Sequence, residues 1–313
     1  MAKSIRDTYG DALKKYGVPN KDVVVLDADL SGSTKSIKFG EAAPERFFNV
    51  GISESNMVAM AAGMSTCGKN VFVNTFTSFL TTIGLCATKA LISYANLNVK
   101  LAGAYAGLSS AYDGPSHHAL EDVAIMRALP KLTILAVSDE IMTDKLTEYL
   151  VNEHKGPAYL RLSREAFPII YKEDETFPIG GSKVLREGKD VAIFAMGLMV
   201  HKALEAADKL KEEGIEASVI DLYSVKPIDR ETIVKYASMT GAVVVAEEHN
   251  IIGGLTSAVS EVMLQDGAFA PLEAVAMNDR HAETGKYSDL VEKFGFTADA
   301  VVGAAKKAIA RKK

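Results

Sequence analysis

Short runs rich in β-branched residues alternate with helix-period segments along all 313 residues, and that alternation limits the possible folds most. Val23–Leu30, Val71–Thr75, Val99–Ala104, Leu132–Val137 and Ala158–Leu162 read as buried strands. Between them, helical spacing covers Ser4–Tyr16, Glu54–Cys67, Phe79–Tyr94, Leu120–Leu129 and Glu140–Asn152. A polar stretch at 171–189, with Glu173, Asp174, Glu175, Pro178 and the pair Gly180-Gly181, reads as a linker. The alternation then resumes through Val191–Met196, Ala217–Leu222, Ala242–Glu247 and Leu272–Met277. The expectation is an α/β protein of two domains with mostly parallel sheets, the first over 1–170 and a smaller one over 190–313.

Composition narrows the function classes. A net charge of −5 argues against a nucleic-acid surface, and the late cluster of basic residues reads as a solvated helix end. Two cysteines, Cys67 and Cys86, make neither a disulfide framework nor a metal-ligand spacing. The first residues lead straight into a polar helical pattern, so no signal peptide is expected. The most apolar window, Val71–Ile92, holds Asn74, several threonines and Lys89, which is wrong for a membrane span. A cytoplasmic protein is expected.

The segment Arg46–Gly63 plants one carboxylate, Glu54, among Val50, Ile52, Met57 and Val58. Apolar surroundings penalise the charged form, so such a group can hold a proton near neutrality. Two rings, Phe76 and Phe79, follow three residues apart. A protonatable acid beside stacking rings suits a flat heteroaromatic cofactor whose ring nitrogen needs a proton. The plainer alternative is a helix start, with Ser53 as cap and Glu54 answering the helix dipole.

Other candidates lie where strands end, which is where open α/β sheets build sites. Asp29 and Ser33 follow the first strand, and Arg164 follows the strand ending at Leu162. The loop Gly107–His118 carries Asp113, His117 and His118; its histidines could shuttle protons, and it has no third metal ligand at suitable spacing. Arg164 could fork onto phosphate or carboxylate, and Arg161 could be a structural ion-pair partner. Gly253-Gly254 lacks the complete dinucleotide or P-loop pattern and reads as a tight turn.

Taken in order, Asp27-Ala-Asp-Leu-Ser-Gly-Ser33, Phe48-Asn-Val-Gly-Ile-Ser-Glu54, Thr75-Phe-Thr-Ser-Phe79, Tyr112-Asp-Gly-Pro-Ser-His117 and Leu162-Ser-Arg164 resemble the transketolase family of thiamine-diphosphate enzymes. The likeness covers nearly the whole chain, as a pyrimidine-binding domain followed by a transketolase C-terminal domain. It implies that Glu54 is the catalytic glutamate bonding N1′ of the aminopyrimidine, through which the thiazolium C2 proton is removed. It implies that Phe76 and Phe79 stack on the pyrimidine and that Asp29 supports the cofactor. Arg6, Ser33 and Arg164 would hold a sugar phosphate, while Asp113 and His117 would meet the donor and acceptor hydroxyls. The second half carries no chemistry under this resemblance.

Two departures stand out. Tyr105 occupies the place where many transketolases have a further substrate histidine. The family's Gly-Asp-Gly metal and diphosphate motif is absent from the 313 residues. The resemblance therefore implies a split enzyme, with Mg2+ and diphosphate held by an N-terminal partner subunit in an assembly such as α2β2. A 1-deoxyxylulose-5-phosphate synthase-like enzyme, the β subunit of a 2-oxo acid dehydrogenase, and a non-catalytic assembly subunit are the alternatives.

Overall fold

The computed structural model describes residues 3–312. Twelve strands are present among them: β1 Val23–Asp27, β2 Phe47–Asn49, β3 Asn70–Phe76, β4 Val99–Ala104, β5 Thr133–Ala136, β6 Ala158–Leu162, β7 Lys183–Arg186, β8 Val191–Ala195, β9 Ala217–Asp221, β10 Ser224–Lys226, β11 Val243–Asn250 and β12 Leu272–Met277. A seven-stranded sheet has the order β10-β5-β6-β4-β3-β1-β2, and a five-stranded sheet has the order β12-β11-β8-β9-β7. Only β10 and β7 pair antiparallel; the other ladders are parallel, as the strand–helix alternation requires.

Strand periodicity builds the layers. Along β1, Val23 and Val25 face a cluster with Ile5, Tyr9 and Leu13 of the first helix and Leu146 and Leu150 of the helix Glu140–Asn152. Val24 and Leu26 face the opposite side, against Met57, Val58 and Ala61 of the helix Glu54–Thr66. Successive side chains point to opposite faces, so one five-residue strand feeds both cores.

Three strands escape sequence reading because they are short and lie at sheet edges: β2, β7 and β10. β7 lies within the segment read as a linker, where half-buried side chains leave little hydrophobic signal. β10 comes from the second half of the chain yet completes the first sheet, pairing Ser224 with Leu135 and Lys226 with Ile134. An otherwise bare edge is thereby closed. One apolar cluster runs continuously from Ile134 through Val225 and Leu222 to Phe194 and Val243 of the second sheet. The expected helix over 79–94 is broken into Thr77–Thr82, Leu85–Ala87 and a wide turn, Thr88–Ser93. Thr81, Thr82 and Thr88 each bond back to the carbonyl four residues earlier, and Gly84 sits at the break.

A buried charge network ties the two sheets together. Arg161 of β6 donates from Nε to Asp122 at 2.7 Å and from Nη2 to the Glu248 carbonyl of β11 at 2.9 Å. Tyr159 adds its hydroxyl to Asp122 at 2.6 Å. Burial opposes the Asp122 charge, but Arg161 and His249 beside it hold the carboxyl below its ordinary range. Removing one member strands the other in a dry interior. Asp122→Ala should therefore cost about 3–5 kcal/mol in urea unfolding, with both domains lost in one transition.

Lys100 is buried at the opposite end of the first sheet and has only carbonyl acceptors: Asn98 Oδ1, His154 O at 3.2 Å and Gly156 O at 2.7 Å. Burial lowers its pKa to about 7, with repulsion from Lys155 acting the same way. The unfolded chain then binds the extra proton between pH 7 and the ordinary lysine value of 10.5, so Lys100 makes stability rise with pH across that window. Lys100→Met should flatten the pH dependence of the unfolding free energy there by about 1 kcal/mol per pH unit.

Candidate active site

The carboxyl ends of β1, β3, β4 and β6 converge, and each supplies a loop to one region. After β1, the buried Asp27 organises the turn. It accepts hydrogen bonds from the Leu30 amide at 2.6 Å and from the Thr34 and Ser36 hydroxyls at 2.8 Å each. Asp29 follows with φ of 63° and is exposed, and Asn49 donates from Nδ2 to its carboxylate at 2.9 Å. The Ser33 carbonyl accepts from Arg6 Nη1 at 3.1 Å.

Glu54 opens the helix Glu54–Thr66 and is only 2% exposed. Its Oε1 accepts from the Thr75 hydroxyl at 3.0 Å, which joins the helix to the end of β3. Ser53 makes no side-chain cap, so the plain helix-start reading lacks its cap bond. Of the expected apolar neighbours, Met57 and Val58 are buried, whereas Ile52 is 83% exposed. The glutamate is sequestered at the foot of an outward-facing apolar loop.

Phe76 is the hub of a ring cluster. Its centroid lies 4.3 Å from Tyr105, 6.0 Å from Phe79 and 6.1 Å from His117, and His117 meets Phe79 edge-on at 5.0 Å. Phe76 is buried, while Phe79 and His117 stay half-buried. Tyr105 has φ of 62°, a conformation that is costly for a side chain with a Cβ and concentrated at functional sites. Arg6 and Arg164 both lie over its ring, each 5.3 Å from the centroid, and Arg6 also donates to its hydroxyl. Tyr105 thus separates the ring cluster from a pair of guanidinium groups.

The loop with Asp113 and His117 is pinned at its root, where Gly107 and Ala119 exchange two backbone bonds of 3.0 Å. Asp113 is exposed at the end of the short turn Ala111–Asp113. His117 Nδ1 lies 3.0 Å from the Ser116 hydroxyl. His118 points inward instead: it is 4% exposed, neither ring nitrogen has a hydrogen-bond partner, and burial lowers its pKa. The two adjacent histidines therefore do different things.

The second domain reaches this loop, which sequence reading missed. The buried Glu248 of β11 accepts from the Leu108 amide at 3.0 Å and from the Tyr287 hydroxyl at 3.2 Å. Burial pushes its pKa up to about 7, against the opposing pull of Arg161. Gly107 has φ of +64°, and a Cβ there would sit 2.4 Å from a Glu248 oxygen. The available signal was the acidic pair Glu247-Glu248 ending a valine-rich strand, since carboxylates buried there need donors. Its neighbour Glu247 accepts from the Leu255 and Thr256 amides at 2.6 and 2.8 Å. The protein's own carboxylate thus fills the helix start after Gly253-Gly254. Among the described residues, no group of three or more His, Cys, Asp or Glu is placed to hold a metal ion.

Relatives carry the same layout. A solved structure described as a split-gene transketolase, an inactive beta4 tetramer, superposes with a TM-score of 0.91 at 45% identity, covering all of both chains. The inferred transketolase C-terminal section of Methanocaldococcus jannaschii is 40% identical, over 96% of this chain and 94% of that protein. The 6-deoxy-6-sulfo-D-fructose transketolase subunit SqwH of Clostridium sp. (strain MSTE9) is 39% identical, over 98% and 95%. Human transketolase is 36% identical, and this chain matches 49% of its length. The family model for the transketolase pyrimidine binding domain matches residues 1–169, and that for the transketolase C-terminal domain matches residues 180–301. With fold and sequence in agreement, the chain belongs to the transketolase family, as its pyrimidine-binding and C-terminal domains.

Proposed function

We propose that this chain is the C-terminal subunit of a split transketolase and moves a two-carbon ketol unit between sugar phosphates once joined to an N-terminal subunit. The observation that carries the reading is Glu54, buried and fixed by Thr75 one residue before the Phe76 ring cluster. Those residues fit the pyrimidine of thiamine diphosphate: rings for its face, and a sequestered carboxyl for its ring nitrogen. When bound, the cofactor supplies a carbon nucleophile for the ketose carbonyl and a sink for the charge left as the C2–C3 bond breaks. Thr75 occupies one Glu54 oxygen, which leaves the other to hold a proton at that ring nitrogen.

His117 has one nitrogen beside Ser116 and its ring wedged against Phe79, so its free nitrogen can take or return a substrate hydroxyl proton. Asp113, on the exposed loop tip, orients hydroxyls. Ser33, Arg6 and Arg164 bind the sugar's phosphate beyond Tyr105, and Asp29, held by Asn49, supports the cofactor wall. Tyr105 replaces a histidine there, and its ring, against both arginines, gives it the role of orienting them.

No metal-holding cluster occurs among the described residues and no Gly-Asp-Gly in the sequence, so we assign Mg2+ and the diphosphate to the partner. Full-length relatives twice this chain's span support that division. An α2β2 assembly suits the exposed apolar residues near Glu54, namely Ile52 and Ile83, whose carbonyl accepts from the Ser55 hydroxyl. No helix among the described residues is long and apolar enough to cross a membrane, and both cysteines are free and exposed, which fits the reducing cytoplasm.

The purified chain alone should transfer no ketol unit, and adding the N-terminal subunit should restore activity with ketose phosphates but not with pyruvate or branched 2-oxo acids. Activity of the isolated chain, or a 2-oxo acid preference of the pair, would refute the reading. In the reconstituted pair, Glu54→Gln should reduce turnover by at least about a hundredfold, because the amide cannot exchange the proton. Near-normal turnover in that variant would instead favour a scaffolding role.

A further inference from the structure

A cleft of about 470 Å³ opens on the far side of Tyr105 and draws its walls from both domains. The first domain contributes Arg6, Arg164, Glu165 and Tyr112, and the second contributes Lys286 and Ser288. None of the three cations has a carboxylate within 4.0 Å among the described residues. Arg6 also keeps its Nε buried without a hydrogen-bond partner. Glu165 is the one acid in the lining, so the cleft carries a formal excess of positive charge. Unpaired like charges around one concavity repel one another, and an anion entering relieves that repulsion.

Lys286 is exposed, but its place is set. The next residue, Tyr287, donates its hydroxyl to Glu248, and the same Glu248 oxygen accepts the Leu108 amide at the root of the substrate loop. One buried carboxylate thus registers Lys286 against Tyr112 and Asp113 on that loop. A lysine just ahead of a seven-residue helix of the other domain would otherwise have no fixed relation to Arg6 and Arg164.

We propose that Lys286 completes a terminal-oxyanion subsite with Arg6 and Arg164, and that it favours sugars ending in a phosphate dianion over those ending in a sulfonate monoanion. This deepens the ketol-transfer reading above and rests on it. The two arginines bind either oxyanion; the third cation adds most where the ligand carries the second charge.

The test uses the reconstituted enzyme with one acceptor and three donors: a ketopentose 5-phosphate, a 6-sulfonated ketohexose and the neutral ketopentose. Lys286→Ala should raise KM for the phosphorylated donor about fivefold, raise that for the sulfonate less, and leave kcat and the neutral donor within about twofold. Lys286→Arg should restore KM, and Lys286→Glu should raise it further. Two outcomes overturn the proposal: an unchanged phosphate KM in Lys286→Ala and Lys286→Glu while Arg164→Ala raises it, or equal losses on all three donors. If Arg164→Ala also leaves the phosphate KM unchanged, the phosphate assignment beneath the proposal fails as well.

Discussion

Burying charge between two sheets is expensive unless every charge finds a partner, and the whole arrangement depends on this condition being met. Arg161, Asp122, Tyr159 and the backbone of Glu248 satisfy one another across the domain boundary. The Glu248 side chain then takes a backbone amide 140 residues away in sequence. A loop rich in glycine and serine has little packing of its own to hold it. Here its root is held by a carboxylate from another domain, so the loop that carries Asp113 and His117 inherits the rigidity of a sheet.

The same economy explains the ring cluster. Phe76 ends a fully buried strand, so its backbone is fixed before any ligand arrives. Tyr105 follows the neighbouring strand in a left-handed conformation and lies against both Phe76 and the arginines. The end of β3 and the residue after β4 thus position the apolar platform, while the first helix and the segment just past β6 supply the cationic pair. Such a division suits a reaction that needs a dry stacking surface beside a wet, charged one.

How much of this could be read from sequence depends on whether the signal is local. β1, β3, β4 and β6 are continuous buried runs and announce themselves. Glu54 stood out because a lone acid in an apolar helix start is locally odd, and the ordered motifs after it reinforced that oddness. The edge strands β2, β7 and β10 lacked such a signal, since runs of only three or four residues look like loop. The division of labour between His117 and His118 was equally hidden, because adjacent residues in a turn point wherever the turn sends them. Glu248 was marked only by the acidic pair it belongs to and Lys286 by nothing, because their importance lies in what they meet across the domain boundary. The threonine-rich helix after Phe79 was read as continuous because side chains that bond back to the backbone leave no mark on hydrophobic spacing.

β10 carries a consequence for how the protein could be divided. A gene cut between the two domains would take three residues, Ser224–Lys226, away from the sheet they finish. The orphaned first domain would then present β5 as an unprotected ribbon of amides and carbonyls, open to any extended chain nearby. The strand that closes the first sheet is carried by the second half of the chain, so the two halves are stitched together.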